Sequence, residues 1–233
     1  MKREHTNKIR FILEEILPPV IRDSFIFKFI IAKIMKNSDL VNFKSNIINI
    51  SQKKYENIYK NFNSFHNDSD LSEICIDRIL KNINANSIVD VGCGNGDLLK
   101  KISKKFPKKT LTGIEMNPNL YLKRKFNQDG IKLIKLKIEK LDKIKYKYDT
   151  VICTHVLEHI LDINKAYNNL KKICKKTLII VVPKERPYKH SNNTHLHFFP
   201  YAWSFINTIR PINKFTIQEL DRDFLYIERI KKK

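Results

Sequence analysis

From Ser87 onward, short apolar runs alternate with segments whose apolar residues recur at helical spacing. Residues 88–91 read as a buried strand, and Leu98, Leu99 and Ile102 give 97–105 a helical face. Residues 110–114 form a second predicted strand, closed by Glu115, with a helix over 118–126. The stretches 131–136 and 148–153 are predicted strands, 162–174 a helix, and 177–182 the next strand. After Pro183 a polar loop runs to Phe199, and Pro200 opens a helix through Ile209. Residues 214–220 and 224–230 then alternate around Asp221-Arg222-Asp223, the pattern of a hairpin. Strands that alternate with helices imply parallel crossovers. The expected fold class is therefore α/β, a doubly wound and mostly parallel sheet with a terminal antiparallel hairpin. Ligands of such sheets bind at the carboxyl ends of the strands, where the strand order reverses.

The first part of the chain has a different pattern. Ile9, Ile12, Leu13 and Ile16 have helical spacing, and Pro18-Pro19 ends the run. Arg22-Asp23-Ser24 can cap a second helix over 25–35, whose apolar residues cover most of its circumference. Lys28, Lys33 and Lys36 interrupt them, which suits a helix lying in a membrane surface with its lysines at the headgroups. The alternative is a helix buried under the main domain or in a dimer interface. Tyr55, Tyr59 and Phe62 share a further helix face, available to dock on a core or to line a lid. These readings divide the chain into an N-terminal helical appendage, 1–69, and a main domain, 70–233.

Composition narrows the partners. The net charge of +21 favours anionic partners, nucleic acid among them. The excess is almost all lysine, however, spread over every segment, whereas phosphate-reading sites favour arginine forks. Cys75, Cys93, Cys153 and Cys174 form no CxxC pair, which points to buried, reduced thiols rather than a zinc or disulfide framework. No signal peptide and no membrane span are expected, so the predicted location is cytoplasmic, with membrane contact confined to the surface.

The candidate chemistry starts at Asp90-Val91-Gly92-Cys93-Gly94-Asn95-Gly96-Asp97, a glycine turn between the first strand and its helix. The dinucleotide fingerprint G-x-G-x-x-G places its third glycine one residue later than this turn does. Asp90 and Asp97 would also repel a pyrophosphate, so a ligand with a cationic end suits the turn better. The segment resembles motif I of the class I S-adenosylmethionine (SAM)-dependent methyltransferases. Tyr148 to His159, with Val156-Leu157-Glu158-His159 after the strand, resembles the motif IV region of their small-molecule, type 11-like group. The resemblance covers about residues 70–185 and implies a seven-stranded Rossmann-like sheet with SAM as cofactor. By it, Asp90, Gly92, Cys93, Gly94 and Gly96 line the cofactor, Glu115 takes the ribose hydroxyls and Met116 packs on the adenine. Lys137 stands where the family often has an acidic residue, so backbone near Ile138, or Glu139, would read the adenine amino group. Thr154 and His155 would face the methionine end.

Three histidines are candidate general bases: His159, and His195 and His197 in the loop after the fifth strand. That loop is also rich in Tyr and Arg, and it resembles a stretch in bacterial methyltransferases found near polysaccharide genes. The implied reaction is methyl transfer to an oxygen or nitrogen of a small-molecule, glycan or lipid-linked acceptor. Three rival readings use the same residues. His155, Glu158 and His159 fit the zinc-peptidase pattern H-x-x-E-H, which requires a long helix. Glu158 and His159 also resemble part of the metal site of RNA 3′-end methyltransferases, although His155 stands where those have Glu. A non-catalytic module that binds RNA or a partner is the third. No resident metal is expected under the favoured reading.

Overall fold

The computed structural model describes residues 7–8, 10–35, 41–51, 54–55, 57–58, 71–83, 86–190 and 193–231. Tyr59, Phe62 and Phe65 lie outside the described residues. The chain divides into two compact units, one of residues 1–70 with 185–200, the other of 71–184 with 201–233.

The larger unit is built on a sheet of seven strands in the order β3-β2-β1-β4-β5-β7-β6. They are β1 (Ser87–Val91), β2 (Thr110–Glu115), β3 (Lys132–Lys135), β4 (Tyr148–Thr154), β5 (Cys174–Pro183), β6 (Phe215–Leu220) and β7 (Asp223–Arg229). β1 through β5 pair in parallel; β7 runs antiparallel to β5 and to β6. The chain winds from β1 outward to β3, then returns to place β4 on the other side of β1, so the order reverses between β1 and β4. That is where an open α/β sheet leaves a crevice at its strand ends. β1 is buried along its whole length, as expected of a strand flanked on both sides and covered on both faces.

Five helices accompany the strands: α1 (Glu73–Asn82), α2 (Asp97–Lys105), α3 (Leu120–Gln128), α4 (Ile163–Lys172) and α5 (Ala202–Ile209). Their starts are set by local hydrogen bonds. Ser72 Oγ accepts from Cys75 N, Asn119 Oδ1 from Leu122 N, and Asp162 Oδ1 from Lys165 N, each satisfying an orphan donor of the first turn. One apolar cluster joins Cys75, Ile76 and Ile79 of α1, Leu99 and Ile102 of α2, Phe126 of α3, and Ile152, Ile179 and Leu225 of the sheet. All four cysteines are free and buried. The helix expected over 162–174 is shorter than predicted, because Cys174 already belongs to β5. The final turn is tighter too. Asp221 and Arg222 alone have left-handed φ, +47° and +64°, and Asp223 opens β7.

In the smaller unit, helix Phe25–Met35 begins where Ser24 Oγ accepts from Phe27 N. Arg22 is buried and donates to Leu13 O (3.3 Å) and Pro187 O (3.1 Å), which ties residues 185–200 to the N-terminal helices. Among the described residues no helix is long and apolar enough to cross a membrane.

Candidate cofactor site

The glycine turn sits at the carboxyl end of β1. Gly92 N (2.7 Å) and Cys93 N (3.2 Å) both donate to Ile114 O of β2, and Gly96 N donates to Cys93 O, so the turn is fixed to the neighbouring strand. Gly92, Gly94 and Gly96 all have left-handed φ, but they serve different ends. A Cβ on Gly92 would lie 2.3 Å from Val156 Cγ2, and one on Gly96 2.2 Å from Phe126 Cε1. Those two glycines admit packed side chains. A Cβ on Gly94 would meet nothing within 4 Å, so this is where the turn lies open to a ligand. Cys93 is buried, and burial pushes its thiol above the ordinary range.

Two carboxylates flank the turn. Glu115, ending β2, accepts from Gly94 N (3.1 Å) and Asn117 N (3.2 Å). Asp90 is buried in β1, and its Oδ1 has no hydrogen-bond partner. Burial, and then repulsion by Glu115, push its carboxyl up to about 7. A buried carboxylate oxygen without a donor is costly, and a cationic or hydroxyl-bearing ligand would relieve the cost. The pair of acids around the open backbone at Gly94 fits an aminoacid-bearing nucleoside and would repel a phosphate. Lys125 closes the far side of the turn through Asn95 O (3.0 Å) and Asp97 (3.3 Å).

The other expected contact residues are placed as follows. Met116 is half-buried just beyond β2. Ile138 is a core residue opening a 3₁₀ turn, Ile138–Lys143, and its carbonyl accepts from Asn169 Nδ2 (3.1 Å); Glu139 beside it is half-buried. Thr154 ends β4. His155 follows with φ +54°, and its amide donates to Val181 O (2.9 Å).

The His155 imidazole lies between two fully buried carboxylates, with Nδ1 3.5 Å from Glu158 and Nε2 3.5 Å from Asp223. Burial alone would lower its pKa, but Asp223 and Glu158 prevail and raise it to about 10. His155 is thus a largely enclosed cation. Asp223, which the sequence places in the turn, is the residue that reasoning from pattern misses. The zinc-peptidase reading fails here: Glu158 and His159 lie in a single 3₁₀ turn, Leu157–His159, and His155 is outside any helix.

His195 and His197 belong to the smaller unit. Glu185 is buried there and accepts from Tyr188 Oη (2.6 Å), Asn193 Nδ2 (2.8 Å) and His195 Nδ1. Burial opposes ionisation of Glu185, yet His195, Arg10 and Lys44 hold its carboxyl below the usual range. Lys44 Nζ stands 3.4 Å over the Tyr188 ring and 4.1 Å over that of Phe198. Burial lowers its ammonium to about 7. His197 stacks on Phe199 with ring centroids 6.4 Å apart.

Comparison with known proteins bears on this arrangement. Residues 89–177 match a family model described as "Methyltransferase domain". A malonyl-[acyl-carrier protein] O-methyltransferase of Acetivibrio thermocellus is 28% identical over 113 residues, 48% of this chain and 38% of that protein. The chain spans less than half the length of the curated relatives it matches. An O-methyltransferase family protein from Burkholderia thailandensis superposes with a TM-score of 0.57 at 12% identity, over 91% of this chain and 71% of its own. The N-methyltransferase NodS of Bradyrhizobium japonicum, solved with S-adenosyl-L-homocysteine, gives 0.54 at 17% identity, over 76% and 100%. Identities this low establish the shared fold, and the match over 89–177 covers the strand that carries the glycine turn and the segment through β4. Residues 89–177 thus match a methyltransferase domain, and the chain shares the fold of solved methyltransferases.

Proposed function

We propose that the chain transfers a methyl group from SAM to an oxygen or nitrogen of a small-molecule, glycan or lipid-linked acceptor. The observation that carries this reading is the pairing of Glu115 with the amide of Gly94, where the turn is open, beside the unpartnered Oδ1 of Asp90. Glu115 would turn from the Gly94 amide to the ribose hydroxyls, and Asp90 would face the cationic end. Met116 would cover the adenine, with Glu139 and the backbone at Ile138 near its amino group, and Thr154 would line the methionine side. His155 would act at one remove, as the cation that holds the end of β4 to Asp223.

When bound, SAM supplies a methyl already activated on a sulfonium. The protein's part is to align donor and acceptor, which can lower a barrier by several kcal/mol. A hydroxyl acceptor also needs its proton removed, a role for which His159, His195 and His197 are the candidates. A carboxylate can only accept, so in the His195–Glu185 pair the proton stands on Nδ1. Such a base contributes about 10²–10⁴-fold. Incubation of the protein and methyl-labelled SAM with fractionated lysate is the test. Label in the lipid, glycan or small-molecule fraction, lost in Glu115→Ala, is expected. Label confined to RNA would move the assignment to the RNA-modifying reading, and no transfer to any fraction would contradict it.

A further inference from the structure

Helix Phe25–Met35 turns its apolar side outward. Phe25 is 78% exposed, Ile26 73%, Phe29 65% and Ile34 68%, with Ile30 nearly half exposed. At about 100° per residue these five and Lys33 share one side of the helix. Phe27, Ile31 and Ala32 lie on the other side and are half-buried. Val20 and Ile21 of the preceding turn are exposed as well. A surface helix of a soluble protein shows the reverse pattern, and a contiguous exposed apolar patch marks an interaction site. Eleven residues span about 16 Å, roughly half the thickness of a hydrocarbon core, so the helix can lie in a bilayer but cannot cross one.

Charge decides between a membrane and a second copy of the chain. The helix contains Lys28 and Lys33 and no acidic residue. In a symmetric pairing Lys33 would be driven into an apolar interface with no acid of the helix to meet it, between two chains of net charge +21. On an anionic bilayer the same lysine reaches up to lipid phosphate while its neighbours enter the acyl boundary. We propose that the face formed by Phe25, Ile26, Phe29, Ile30, Lys33 and Ile34 docks in the plane of an anionic membrane surface. This inference is independent of methyl transfer.

Co-sedimentation of the full chain with phosphatidylcholine vesicles, with and without a minority of phosphatidylglycerol, is the test. The chain is expected to pellet with the anionic vesicles, and less so as salt rises. The double variant Ile26→Ser/Phe29→Ser changes exposed positions and is expected to keep its circular dichroism while binding at least about tenfold more weakly. Lys33→Ala is expected to bind about fivefold more weakly. A chain that stays in the supernatant overturns the inference, as does one whose pelleting ignores the double variant. So does light scattering that finds a dimer split by Ile26→Ser/Phe29→Ser, with no chain on the vesicles.

Discussion

In the proposed reading Asp90 and Glu115 are the residues on which cofactor recognition turns, and the burial of Asp90, with Glu115 nearby, gives it a pH dependence. Asp90 titrates near 7 in the folded chain, raised from 3.8. A raised carboxyl means the folded state holds a proton the unfolded chain has released, so Asp90 costs stability as pH rises from about 4 toward 7. A cationic ligand prefers the ionised form. SAM affinity is therefore expected to rise as pH increases through about 7, and Asp90→Asn is expected to flatten the profile; calorimetric titrations across that range check both. The glycines make a second prediction. Gly113→Ala would put a Cβ 2.4 Å from Phe126 Cε2 and 2.9 Å from Cys93 Sγ, overpacking worth about 1–3 kcal/mol. A Cβ at Gly94 meets nothing within 4 Å, and the penalty of Gly94→Val in the free protein is the left-handed φ of +50°. Gly113→Ala should lower the melting temperature by several degrees with SAM binding retained, whereas Gly94→Val should abolish SAM binding in a folded protein.

Among the elements, the closing hairpin does more than extend the sheet. Its Asp223, with Glu158, holds the His155 cation, so β7 and the turn after β4 are joined through one charge. His155→Gln leaves two buried carboxylates without their cation and is expected to cost about 3–5 kcal/mol in urea unfolding. The pH sign follows from the raised value. The contribution of His155 is complete below 6.5 and is lost as pH rises through about 10, so the wild type should lose stability on the alkaline side while His155→Gln should not. β7 is held to α4 in a similar way, by Glu228 accepting from Tyr167 Oη (2.6 Å) and pairing with Lys171 (3.4 Å). Strand positions, the hairpin and the glycine turn were all legible in the sequence, because period, β-branching and glycine spacing are local signals. Asp223 was not legible, because a shift of one residue in the turn carries it from solvent to the core. Nor was the division of labour among the glycines, which depends on Val156 and Phe126 arriving from distant segments. The outward apolar side of Phe25–Met35 was equally hidden: its residues are apolar nearly all round, and only packing shows which side is covered.

For the molecule as a whole, the sheet order and the match over 89–177 show a methyltransferase-like fold, and the high positive charge takes on meaning only where it meets apolar surface. Lysines distributed over the whole chain are a weak guide to a partner. A single lysine at the centre of an exposed apolar helix face is a stronger one. The proposed reaction depends on the turn after β1 accepting a cationic nucleoside. Isothermal titration of the full chain with SAM tests that most directly. Saturable one-to-one binding, weakened about ten- to a hundredfold in Glu115→Ala, is the predicted result. No heat of binding up to millimolar SAM, or an affinity indifferent to Glu115, would contradict it.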